Sequence, residues 1–316
     1  VGMFASSCPP VLVLGFWVVY LWHVVPGIYW RDSAELVVAG WGLGVTHPMG
    51  SPAYSMLSKA ASLVPLGSVA LRAALASAAC GCIALAVVWA LARRLTTLAG
   101  LSGTGGTVGA LACTGAVALG QSFWWANEVQ EVYSAQILFL AAVIWMVVRA
   151  RMEPHGPGAR RWWYGAAVVH GVGMGVHAFL IMYLPALISY AWADWKRRGW
   201  GPREATVLSA WLILGLSVYT YLPLRSQAGV ILDWGQTARL SGFIYHVTDR
   251  KDAAEHFTLE PGRLGYQLSQ FARRLPNETS LPLLALAAAG IVVQARRSRP
   301  EWLLLLLTAA IHWAFF

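Results

Sequence analysis

Apolar runs recur along nearly the whole length of this 316-residue chain, too many for a single core in water to bury. Spans are expected near 9–29, 70–92, 105–122, 131–149, 162–193 (two short passes), 205–223, 281–295 and 302–316. That is about nine crossings in one all-α polytopic unit over residues 1–316. With 58% hydrophobic residues, 12% charged residues and a mean hydropathy of +0.56, a soluble domain is excluded. The last run reaches Phe316 after about fifteen apolar residues, so the chain is expected to end mid-helix within a longer protein. No cleavable signal peptide is expected, because the N-terminus lacks a basic flank and the first run is long enough to anchor. Cys80 and Cys82 lie two apart in an apolar span, and Cys8 and Cys113 are isolated. They read as small packing residues rather than a disulfide framework.

Charge orients the bundle. Arg93, Arg94, Arg149, Arg151, Arg160, Arg161, Lys196, Arg197, Arg198, Arg203, Arg296, Arg297 and Arg299 all fall between spans on one side, as 13 of the 23 basic residues. Glu153, Asp194, Glu204 and Glu301 are the acids of those loops, so the whole net charge of +9 lies there. The positive-inside bias then makes the N-terminus cytoplasmic and turns Asp32 and Glu35 outward. The basic balance reflects topology and not nucleic-acid binding.

Loops on the basic side are short, whereas 30–69 and 224–280 are long and rich in polar and aromatic residues. In the first, Ala34–Leu43 is expected to be a short interfacial helix, followed by a Gly/Pro turn at His47–Pro52 and a second surface helix over Tyr54–Leu63. Between Arg161 and Lys196 the chain must cross an even number of times, and the glycines before His177 mark the bend.

Two corners carry the chemistry-bearing side chains. Asp32 and Glu35 share a helix face; the same spacing also fits a capping box, with Asp32 as cap and Glu35 reaching back. Trp124, Trp125, Glu128, Glu131 and Tyr133 form the second corner, which repeats the carboxylate spacing. Its tryptophans suit an interfacial belt or a sugar-stacking surface. His177, alone in apolar surroundings, fits either a packing or a site residue. Arg225 either snorkels to headgroups or clamps a phosphate through its planar fork. Asp233-Trp234-Gly235 and Tyr245-His246 follow it. No zinc spacing, phosphate-cradling Gly loop or Gly-x-Ser-x-Gly elbow is present.

Asp32-Ser-Ala-Glu35 with Leu43-Gly-Val-Thr-His47-Pro-Met-Gly-Ser-Pro52, Phe123-Trp124 with Glu131-Val-Tyr133, the Gly-rich run ending at His177, and Tyr221-Leu-Pro-Leu-Arg225 with Asp233-Trp234-Gly235 occur in one order. Together they resemble a family of bacterial multi-pass proteins akin to membrane protein O-mannosyltransferases of the GT-C class. Ala34, Met49 and Ser51 depart from that pattern, which more often has Gly, Pro and an aromatic there. The resemblance implies a GT-C-like helical bundle in a bacterial inner membrane. It also implies sugar transfer, mannose being one candidate, at the extracytoplasmic face. The donor would be a polyprenyl-phosphate sugar, and the acceptor a protein Ser/Thr hydroxyl or a glycan. Asp32 is then the expected general base, with Glu35 orienting or binding. Arg225 and His177 would meet the departing phosphate, and Glu131 would bind sugar or acceptor. His47, Trp124, Glu128, Tyr133, Asp233 and Trp234 complete the expected binding set. A divalent metal on the carboxylates is left open. The competing reading is a transporter or flippase of a lipid-linked or anionic substrate, which would concentrate its ionisable groups nearer the midplane.

Overall fold

The structure is a computed structural model that describes residues 10–154, 156–250 and 261–315. Cys8, residues 251–260 of the long second loop, and the extreme ends of the first and last apolar runs lie outside the described residues. The chain forms α1 (Pro10–His23), α2 (Ser33–Gly42), α3 (Pro52–Ser62), α4 (Val69–Leu98), α5 (Gly103–Leu119) and α6 (Gln121–Glu128). It continues with α7 (Tyr133–Met152), α8 (Pro157–Met174), α9 (Leu184–Arg198), α10 (Pro202–Leu216), α11 (Tyr221–Gln227) and α12 (Leu240–Val247). It ends with α13 (Pro261–Glu278), α14 (Leu281–Arg297) and α15 (Arg299–Phe315). Tight 3-10 turns at Ala178–Tyr183 and Ser217–Thr220 lead into α9 and α11.

No strand occurs among the described residues, and the molecule is an all-α polytopic membrane protein. Val69–Leu98, Tyr133–Met152, Ala178–Arg198 and Pro202–Gln227 are long and apolar enough to cross a bilayer, while Val13–His23 and Gly103–Leu119 are apolar but shorter.

α4 is the spine, in contact with α1, α3, α5, α6 and α7. Its buried face carries Ala70, Ala73, Ala74, Ser77, Ala78 and Gly81. Small residues allow close approach where lipid offers no hydrophobic contrast between helices. A Cβ at Gly81 would fall 1.6 Å from Asn127 Oδ1 of α6. On the far side, α8 and α10 cross through glycines: a Cβ at Gly215 would sit 2.3 Å from the Val168 carbonyl.

The expected bend before His177 is present. α8 stops at Met174, and Gly175–His177 separates it from the turn that opens the next span. The expected surface helix over Tyr54–Leu63 is α3, one side of which is buried. Tyr54, Ser55, Ser58 and Ser62 are enclosed, because Gly40 of α2 lets α3 lie directly against it. Lys59 keeps the polar side, donating to the Trp41 carbonyl at 2.8 Å and lying over its ring.

Two apolar clusters frame the same end of the bundle. One joins Leu36, Tyr54, Cys80, Val132, Ala135 and Val176. The other joins Val45, Met174, Leu180, Tyr183, Tyr219 and Leu222. A larger cluster, including Val147, Trp163 and Tyr190, fills the opposite end.

Candidate functional site

A cleft of about 220 Å³ opens above the two smaller clusters, lined by Asp32, His47, Glu131, Tyr133, His177 and Asp249 among others. Its walls come from five separate stretches: the start of α2, the turn after it, the α6–α7 junction, the α8 break and the end of α12.

Asp32 precedes α2, and its carbonyl accepts from Leu36 N at 2.9 Å, but its carboxylate makes no capping bond. The capping-box alternative therefore does not hold here. Glu35 turns instead to His47, accepting from its backbone N–H at 2.5 Å and meeting its Nδ1 at 3.0 Å. That contact comes first among the influences that raise the His47 pKa, with burial opposing it. The turn is closed by Gly50 N to His47 O at 2.7 Å and Ser51 N to Thr46 Oγ1 at 2.9 Å. Gly50 has φ +69, and a Cβ there would crowd Leu222 and His246 at 3.1–3.2 Å, so only glycine suits this position.

Glu131 is 2% exposed. Its carbonyl accepts from Ser77 of α4 at 3.2 Å. Its neighbour Gln130 donates to the carbonyls of Gly27 (2.9 Å) and Ala70 (3.0 Å), which fixes the junction against α4. Burial, and next the Asp32 carboxylate, push the Glu131 carboxyl up to about 7. His177 is held by its own N–H to the Gly173 carbonyl at 3.0 Å, and the adjacent Gly175 carbonyl accepts from Ala53 of α3 at 2.8 Å. Burial lowers the His177 pKa to about 4, so the ring is neutral at physiological pH and offers hydrogen bonds rather than a counter-charge. An aromatic wall runs from Trp125 to Tyr133 (6.3 Å), His177 (5.7 Å) and Phe179 (5.2 Å).

The structure thus brings Asp32, His47, Glu131, Tyr133 and His177 to one cleft, with Glu35 directly behind His47. Other expected residues lie elsewhere. Trp124 packs on Tyr20 and His23 and donates its indole N–H to Glu128, so these two satisfy each other beside α1. Arg225 donates to the Leu43 carbonyl at 2.9 Å and the Gly42 carbonyl at 3.3 Å, closing the C-terminus of α2. Asp233 accepts from Ser226 Oγ at 2.5 Å and from the Gly235 and Gln236 N–H groups, while the backbone on either side of it pairs with Val45. Trp234 is exposed and lies outside the lining.

Sequence reasoning did not single out Asp249 or Phe179 for the site. Asp249, with φ +47, is delivered by a loop some two hundred residues from Asp32, and no local spacing signals that. For metal binding, Asp32, Glu35 and His47 present donor atoms all within 4.8 Å of one another. Two carboxylates and an imidazole suit a divalent cation.

The family described as the protein O-mannosyl-transferase TMEM260 N-terminal domain matches residues 32–199, which include Asp32, Glu35, His47, Glu131, Tyr133 and His177. The protein O-mannosyl-transferase TMEM260 of Mus musculus is 25% identical over 281 residues, covering 85% of this chain and 38% of the relative. Its counterpart from Dictyostelium discoideum is 24% identical over 256 residues, covering 76% of this chain and 30% of the relative. The chain thus spans well under half the length of these curated relatives. No solved structure matches it. These matches carry the O-mannosyltransferase side of the sequence resemblance and not its bacterial subset. With more than half of its residues matched, the cleft's first wall among them, the chain belongs to the TMEM260 N-terminal domain family.

Proposed function

We propose that this chain carries the transfer site of a membrane glycosyltransferase. The enzyme would move a sugar, mannose by the relatives' names, from a polyprenyl-phosphate donor to a Ser/Thr hydroxyl of an acceptor protein. The observation that carries this reading is the convergence of Asp32, Glu131 and His177 on one small cleft at the end of a helical bundle. Its volume suits a single sugar ring, being below the roughly 300–1,000 Å³ of drug-sized pockets.

Asp32 accepts the proton of the acceptor hydroxyl as that oxygen attacks the anomeric carbon. The bond from that carbon to the phosphate oxygen breaks, and its electron pair leaves on the phosphate. Glu35 fixes the ring of His47, so that Nε2 is the nitrogen not engaged by the carboxylate. Glu131, with a pKa of about 7, hydrogen-bonds sugar hydroxyls in either protonation state. The rings of Tyr133, His177 and Phe179 line the cleft and offer their faces to the sugar ring, with Trp125 packed behind Tyr133. A divalent cation, where the reaction uses one, would be held by Asp32, Glu35 and His47 and would supply positive charge to the departing phosphate.

The proposed orientation has the N-terminus cytoplasmic and the cleft outside, in a bacterial inner membrane. The charge asymmetry supports the orientation alone, because the basic clusters lie at the far ends of the helices that form the cleft.

The test is transfer of labelled sugar from polyprenyl-phosphate donors to Ser/Thr peptides by the purified full-length protein, beside Asp32→Asn. Transfer by the wild type, reduced about 10²–10⁴-fold in the variant, is the expected result. Unchanged transfer by Asp32→Asn moves the base elsewhere. No transfer with any donor, together with flux of the lipid in liposomes, overturns the reading in favour of a transporter.

A further inference from the structure

The cleft poses a charge problem. Asp32, Glu131 and Asp249 line it, and no lysine or arginine does so among the described residues. A phosphate approaching these carboxylates needs a cation at the mouth. Arg225 is engaged with the carbonyls that end α2. Arg72 is engaged with the carbonyls of Ser62, Leu66 and Gly67, and Lys59 with Trp41.

Arg31 is different. It is exposed, directly precedes Asp32, and stacks its guanidinium over the Trp30 ring at 5.0 Å. Its charge is felt at Glu131 inside the cleft. Its backbone sits at φ +65, a left-handed conformation that a long side chain rarely adopts. Strained residues of this kind gather at ligand sites, where the strain persists because position matters. Beside it, Ile28 is 58% and Trp30 66% exposed, an apolar ledge next to a planar cation.

We propose that Arg31 and Trp30 dock the phosphate of an isoprenoid-phosphate ligand at the cleft mouth, with Ile28 and the Trp30 ring receiving its first isoprene units. Arg31 presents the planar fork that binds phosphate oxygens in pairs, and the ledge distinguishes this ligand from free phosphate. The assignment rests on the proposed donor class.

The full chain in nanodiscs would be titrated with farnesyl phosphate, inorganic phosphate and phosphatidylglycerol, as wild type, Arg31→Gly and Arg31→Lys. Glycine suits φ +65, so Arg31→Gly is expected to keep or raise the Tm while weakening farnesyl phosphate binding at least tenfold. Arg31→Lys should retain part of the affinity, and the other two ligands should bind far more weakly to the wild type. Equal farnesyl phosphate binding by wild type and Arg31→Gly overturns the assignment and leaves the donor class standing. A loss that appears with phosphatidylglycerol alone makes Arg31 a headgroup anchor and also overturns it. A wild type that binds no farnesyl phosphate, yet transfers sugar from another donor, removes the donor class and the assignment together.

Discussion

Glu131 and Glu35 show how one side-chain type takes opposite roles in neighbouring positions. Glu131 is enclosed at the α6–α7 junction, and burial with the nearby Asp32 charge raises its pKa to about 7. A carboxyl whose folded pKa exceeds its unfolded one stabilises the fold below the unfolded value of about 4.5, and that contribution is lost as pH rises through 7. Glu131→Gln is therefore expected to flatten the fall of Tm between pH 4.5 and 7.5, measured by thermal unfolding in detergent. An unchanged slope would mean that Glu131 does not carry it. Glu35 instead locks His47 by two contacts. Glu35→Gln should broaden the His47 ring orientations and reduce transfer about 10–100-fold, as loss of an orienting partner does at other sites. If the reduction comes with His47 NMR signals unchanged, Glu35 acts on substrate rather than through His47. The Asp-x-x-Glu spacing was legible in the sequence. Which partner Glu35 would choose was not, because His47 arrives through a turn whose geometry depends on Gly50 and on the Leu222 packing behind it.

The α8 break depends on how its helix is held. A Cβ at Gly171 would meet the Leu212 carbonyl at 2.5 Å, and one at Gly215 the Val168 carbonyl at 2.3 Å, so α8 and α10 touch backbone to backbone. Gly215→Val must force them apart, at a cost of about 1–3 kcal/mol from overpacking. It should also shift the Gly175–His177 turn and weaken the site. A variant with wild-type Tm and activity would show that the crossing does not position the turn. Glycines in the 171–175 run announced a bend in the sequence, and the bend is there. That they also serve a crossing could not be seen, because the partner carbonyls come from a helix some forty residues later. In the same way, α3 reads as a surface helix until Gly40 of α2 brings Ser58 against it.

Across the whole bundle, the cleft and a buried ionic cluster occupy opposite ends of the same helices. α7 begins beside Glu131 and ends at Arg149 and Arg151; its 20 residues at about 1.5 Å each span about 30 Å, the thickness of a hydrocarbon core. At the far end, Asp194 accepts from Trp163 (3.0 Å), Arg197 (2.7 Å) and Arg198 (2.8 Å), and Glu301 from Tyr190 (2.7 Å), with Arg151 Nε at 3.1 Å. This cluster ties α7, α8, α9 and α15 together. Asp194→Ala would leave the enclosed Arg198 without its carboxylate and should cost about 3–5 kcal/mol, read as a loss of Tm or of folded yield. A Tm within a degree or two of the wild type would show that the arginines find other partners. The sequence by itself determined the class of the molecule, the gathering of basic residues at one set of helix ends, and the candidacy of Asp32, His47, Glu131, Tyr133 and His177. Hydropathy, charge and short spacing are local properties, and a bilayer acts on them directly. Only the tertiary structure decided which side chains converge. It freed Asp32 from capping, turned Glu35 to His47, engaged Arg225 and Asp233 in holding backbone, and brought Asp249 to the cleft. Those outcomes depend on which backbones can approach closely and which polar groups burial leaves in need of a partner.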